Sequence, residues 1–183
     1  MRRLFLACIA LAAACGRGEP ASGSATPSTA AAPSYRASDG SFAIDFPAPP
    51  TRSTETVPGH DGPVEVEMAS YLDADAARMF AASSYVLPLR GLDPVAALDG
   101  IADNTGGGAT HAVVTERRPR RFNGLPALEV RLVGSYPGKG EFTQRGRFII
   151  DPKTSRVFVL TVAAQGAIDD AIAERFFGSL RLP

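Results

Sequence analysis

Val157-Phe158-Val159-Leu160-Thr161-Val162-Ala163 places apolar side chains at successive positions, so both faces of an extended segment there need cover. A strand with one wet face alternates, whereas this run reads as the central strand of a sheet roofed on two sides. Working outward toward the C-terminus, one roof is close by. Ile168, Ile172 and Phe176 recur at helical spacing, Asp169 and Asp170 suit the positive end of a helix dipole, and Gly178 is expected to end a helix over 168–177.

Toward the N-terminus the neighbouring runs alternate. After the loop Pro137-Gly138-Lys139-Gly140, Arg145 and Arg147 interleave with Gly146, Phe148 and Ile150, which predicts a strand with one wet face. Leu128, Val130 and Leu132 likewise oppose Glu129 and Arg131, in a strand entered through the two-residue turn Asn123-Gly124. Strand character also covers 111–117. Upstream, Asp93 caps a helix with Pro94 at its first position and Val95, Leu98, Ile101 and Ala102 as its apolar stripe, ending at Asn104-Thr105-Gly106-Gly107-Gly108. A further strand is expected between Met79 and Leu87. Val64, Val66 and Met68 alternate with the wet Glu65 and Glu67, after a turn at His60-Asp61-Gly62-Pro63. Phe42, Ile44 and Phe46 share one face of a strand that Pro47-Ala48-Pro49-Pro50 ends. Together these elements predict one α+β domain over 35–183, an antiparallel β-sheet packed by helices.

The residues before that domain read as an address. Met1-Arg2-Arg3 is positive, and Leu4 to Ala14 is an uncharged run ending in small residues, the pattern of a secretory signal and too short to span a bilayer. Leu11-Ala12-Ala13-Ala14 before Cys15 resembles a lipobox. The expectation is a signal peptide over 1–14, lipidation of Cys15, and membrane anchorage by several acyl chains. Gly16 after the cysteine favours the outer membrane in a Gram-negative envelope, with the domain facing the periplasm. From 15 to 34 the chain is dominated by Gly, Ala, Ser, Thr and Pro and reads as a tether, reaching on the order of 25 Å.

Charge and composition narrow the chemistry. The whole chain has 19 basic and 19 acidic residues, and loss of Arg2 and Arg3 leaves 17 against 19, a charge of −2, which offers no global attraction to nucleic acid. Both cysteines precede the domain, so it has no thiol for a disulfide, zinc site or nucleophile. His60 and His111 lack metal-ligand spacing and read as solvated side chains; no serine elbow or phosphate loop is present. Asp73 and Asp75 lack a calcium-loop pattern and read as turn residues. Arg117, Arg118, Arg120 and Arg121, around Pro119, form the densest positive cluster and the candidate contact for an anion or a protein partner.

The segments Phe42-Ala43-Ile44-Asp45-Phe46-Pro47, Asn123-Gly124-Leu125-Pro126-Ala127-Leu128-Glu129-Val130, 156–163 and Arg175-Phe176-Phe177-Gly178-Ser179-Leu180-Arg181-Leu182 resemble the Mog1/PsbP-like fold, including DcrB-type bacterial lipoproteins. The resemblance covers nearly all of 35–183 and rests on packing patterns. It implies an αβα sandwich without catalytic machinery or cofactor. The functional expectation is a non-catalytic accessory or protein-binding lipoprotein of the cell envelope. The alternatives are a carrier of a small apolar ligand or lipid, and an enzyme with an unusual site.

Overall fold

A computed structural model of the chain describes residues 34–58, 62–87, 91, 93–105, 112–136 and 140–183. Cys15, His60, His111, Gly106-Gly107-Gly108 and the loop 137–139 lie outside the described residues. The elements in chain order are β1 (Ser34–Arg36), β2 (Ala43–Asp45), β3 (Thr51–Pro58), β4 (Pro63–Asp73), β5 (Arg78–Val86), α1 (Pro94–Thr105), β6 (Val113–Phe122), β7 (Leu125–Tyr136), β8 (Gly140–Asp151), β9 (Arg156–Gln165) and α2 (Asp170–Gly178). Among the described residues seven strands form one antiparallel sheet in the order β3-β4-β5-β9-β8-β7-β6, and β1 and β2 form a separate hairpin.

β9 is the central strand, as its two apolar faces require. Phe158, Leu160, Val162 and Ala164 pack with Ala173, Phe176 and Phe177 of α2 and with Phe42, Ile44 and Phe46 around β2. Val157 packs on the other face with Leu98, Ile101 and Ala102 of α1 and with Leu128, Val130 and Leu132 of β7. Phe176 sits between Phe46 and Phe80, with ring centroids 5.2 and 5.3 Å away, and so ties α2, the β1–β2 hairpin and the sheet into one core. The result is the expected α+β sandwich.

Local signals act as read at several positions. Asp93 Oδ1 accepts from the Val95 amide at 3.0 Å and Asp169 Oδ1 from the Ala171 amide at 2.8 Å, each opening a helix. Asn123 and Gly124 both take left-handed backbone angles, φ 50° and 82°, as a tight hairpin turn demands.

Other expectations need correction. Val95 is 60% exposed and does not join the buried stripe of Leu98, Ile101 and Ala102, although its spacing to Leu98 and Ala102 is helical; it stands in the first turn of α1. Gly178 is the last residue of α2 rather than a left-handed stop; Ser179 caps the helix with right-handed angles and an amide bonded to Phe176 and Phe177 carbonyls. β3 had no apolar alternation to reveal it; it is a polar edge strand paired with β4. β6 continues through Pro119 to Phe122, which the sheet tolerates because β6 is an edge and proline need not donate outward.

The largest correction concerns Glu129, Arg131, Arg145 and Arg147, whose face was expected to be wet. It lies partly beneath α2: Glu129 is buried, and the side chains of Arg145 and Arg147 are 12% and 11% exposed. Carboxylates on β7 and α2 neutralise these arginines, so their stems can be covered without leaving bare charge.

Candidate functional site

Two places on the α2 face concentrate polar side chains, one near each edge of the sheet. The first arises where the sheet opens. β4 pairs with β5 only as far as Glu67 opposite Ser84; from Pro63 to Val66 β4 pairs with β3 alone, and Tyr85 and Val86 of β5 pair with β9 alone. The diverging strands leave a cleft of about 520 Å³. Its polar rim comes from Ser38 and Asp39 after β1, Glu65 and Glu67 of β4, Ser84 of β5 and Arg156 of β9.

Most of the rim is internally bonded. Glu67 accepts from the Tyr35 hydroxyl at 2.5 Å, from the Ser38 amide at 3.1 Å and from the Ser38 hydroxyl. Arg156 donates to Ser84 Oγ at 3.1 Å and pairs with Asp39 at 2.8 Å. Burial pushes the Glu67 carboxyl up, but hydrogen bonds from Ser38 and Tyr35 outweigh it and hold the group below its usual range. Burial likewise raises Asp39, and the Ser41 and Arg156 hydrogen bonds overcome that effect. The Tyr35 phenol is pushed up, first by burial and then by its bond to Glu67.

This arrangement is better suited to recognition than to proton transfer. Ser38 and Glu67 are the nearest approach to a nucleophile and its base, yet a carboxylate held below its usual range is a weak base near neutral pH. Among the described residues no cluster of three His, Cys, Asp or Glu is placed to hold a metal. Asp73 serves the β4–β5 turn, accepting from the Ala76 amide at 3.2 Å and pairing with Arg78.

The second place contains the predicted arginines, and the structure divides them. Arg117 turns to α1, pairing with Asp103 and lying 3.7 Å from Asp99. Arg118 pairs with Glu116, and Arg120 Nε lies 3.5 Å from Glu129 on the α2 side. Arg121 donates to the Gly124 carbonyl at 2.9 Å. Alternation along the edge strand thus turns Arg117 to the α1 side and Arg118 and Arg120 to the α2 side, while Arg121, beside the β6–β7 turn, borders the same pocket as Arg120.

Beside Arg120 lies the network that wet-face reasoning missed. Arg147 pairs with Glu129 at 2.5 Å and Glu174 at 2.8 Å; Arg145 pairs with Glu174 at 2.6 Å and Asp170 at 3.1 Å. Both guanidinium groups also lie over the Phe177 ring, Arg145 at 5.7 Å and Arg147 at 4.9 Å from its centroid. Burial raises the Glu174 carboxyl, but Arg145 and Arg147 pull it below its usual range. A usable sequence signal was the single acid among alternating arginines: the hairpin register sets Glu129 opposite Arg147, while Arg131 falls opposite Arg145, a like-charged pair that needs further carboxylates, and α2 supplies them in Asp170 and Glu174.

No family model matches the chain, and no curated protein matches it. The solution structure of cyanobacterial PsbP, CyanoP, from Synechocystis sp. PCC 6803 is similar with a TM-score of 0.56 at 10% identity, covering 90% of this chain and 98% of that one. A Pseudomonas aeruginosa protein of unknown function, described as a putative regulator, is 13% identical over 73% of this chain and 83% of its own, with a TM-score of 0.41. The CyanoP likeness shows that the chain has a PsbP-like α+β fold.

Proposed function

We propose that the chain is a cell-envelope lipoprotein of the DcrB type, anchored through acylated Cys15, whose domain binds a segment of another envelope protein without catalysing a reaction. The observation that carries this reading is the opened sheet. β4 and β5 face each other across the cleft with no ladder between residues 63–66 and 85–86, the kind of backbone edge that an extended partner segment can join. The internally bonded carboxylates on the rim favour recognition over turnover. The phenylalanine rings pack against one another across the core, which weighs against carriage of an apolar ligand there.

The lipobox-like residues before Cys15 and the tether that follows supply the address, with the domain facing the periplasm and the outer membrane favoured in a Gram-negative host. A photo-reactive side chain placed at Val86, on the cleft, should cross-link one discrete protein in intact cells. The same group at Val95, exposed on α1, should not capture it. Equal capture at both positions, or none at Val86 across growth conditions, would count against the reading.

A further inference from the structure

Five guanidinium groups and four carboxylates meet around the α2 side of the β6 edge. Arg118, Arg120, Arg131, Arg145 and Arg147 face Glu116, Glu129, Asp170 and Glu174. The cation held least firmly is Arg120. Its ionic contact is the 3.5 Å approach of Nε to Glu129, a carboxylate that Arg147 already holds at 2.5 Å, and its side chain is 51% exposed.

Arg121 adds a second exposed guanidinium, bonded to a single backbone carbonyl. Both arginines border a pocket of about 260 Å³, with Phe122 and Ala127 as apolar wall and Arg147, Glu129 and Glu174 as floor. The two floor carboxylates are already paired with Arg147, so they oppose an incoming anion less than free carboxylates would.

We propose that this pocket binds a phosphate-type oxyanion, gripped by the open guanidinium donors of Arg120 and Arg121, with Phe122 and Ala127 against the organic part of the ligand. A planar guanidinium presents paired N–H groups that match two oxygens of a phosphate, and two such forks hold a dianion better than one. On binding, Arg120 exchanges its long contact with Glu129 for the anion, and Glu129 remains paired with Arg147. The site is separate from the cleft: five strand spacings lie between β6 and β4, about 24 Å.

The same chemistry reaches the pocket from a soluble phosphomonoester or from a lipid headgroup, and two probes distinguish them. The mature-length chain carrying Cys15→Ser, which cannot be acylated, is titrated with phenyl phosphate and separately with phosphatidylglycerol vesicles, against phosphatidylcholine vesicles as the neutral control. Saturable movement of amide NMR signals at 120–127 with phenyl phosphate supports the site with a soluble ligand. The same response to phosphatidylglycerol but not phosphatidylcholine vesicles supports it with a headgroup.

Arg120→Gln with Arg121→Gln should weaken whichever response is seen by about tenfold or more, since two charged hydrogen-bonding groups are lost. Arg118→Gln, on the same strand but paired with Glu116, should leave it within about twofold. No saturable response to either probe, or an undiminished response in the double variant with its native spectrum intact, overturns the proposal.

Discussion

Glu129 illustrates how much a single side chain can be asked to hold. One of its oxygens lies 2.5 Å from Arg147, the other 3.5 Å from Arg120 and 4.0 Å from Arg145. Arg145 and Arg147 are nearly covered, so Glu129→Ala leaves charge beneath α2 short of its counter-ion rather than simply removing a contact. The expected cost is about 3 kcal/mol in denaturant unfolding, at the low end for broken buried pairs because Glu174 still serves both arginines. A loss under about 1 kcal/mol would show that water already screens the network. At this scale the sequence was legible in part. Asp93, Asp169 and the Asn123-Gly124 turn act through neighbours one to three residues away, and each did what its local chemistry predicts. The buried setting of Glu129, Arg145 and Arg147 depends on where α2 docks, and alternating charge looks the same beneath a helix as it does in water.

At the scale of the element, α2 combines an apolar grip with a charged one. Ala173, Phe176 and Phe177 are buried, while Glu174 reaches Arg145 and Arg147 at the helix flank. The Glu174 carboxyl, lowered from its usual 4.5 by those arginines against an opposing burial effect, ionises in the folded chain at lower pH than in the unfolded one. The stability it contributes is therefore complete above about pH 4.5 and is lost as pH falls through the folded value. Urea unfolding at about pH 6 and about pH 3.5 should show a smaller acid-induced drop for Glu174→Gln than for the natural chain. Equal drops would mean that Glu174 carries none of the linkage. Helix α2 itself was readable because Ile172 and Phe176 keep the period of a helix and Asp169 caps it, although Ile168, expected inside the helix, lies before that cap. Strand β3 was not, because an edge paired on one side has no need of an apolar face.

For the molecule as a whole, one strand constrained much of the answer. The doubly apolar Val157–Ala163 run requires layers above and below the sheet, and α2 with the β1–β2 hairpin supplies one while α1 supplies the other. Patterning accounts for the layers; it does not account for the cleft, which depends on β4 joining β5 only from Glu67 onward, a matter of register between strands that are individually ordinary. The two polar places lie near opposite edges of the sheet, where the proposed partner segment and the proposed anion would each meet the domain. In the proposed function, a tether over 15–34 would keep the domain within on the order of 25 Å of the membrane to which Cys15 would fix it. That anchorage is the premise on which the proposed function rests, and the mass of the mature N-terminal peptide, isolated from the membranes of the producing cell, tests it most directly. The expected peptide begins at Cys15 and carries acyl chains. A mature chain beginning elsewhere, or at Cys15 with an unmodified thiol, would contradict the account.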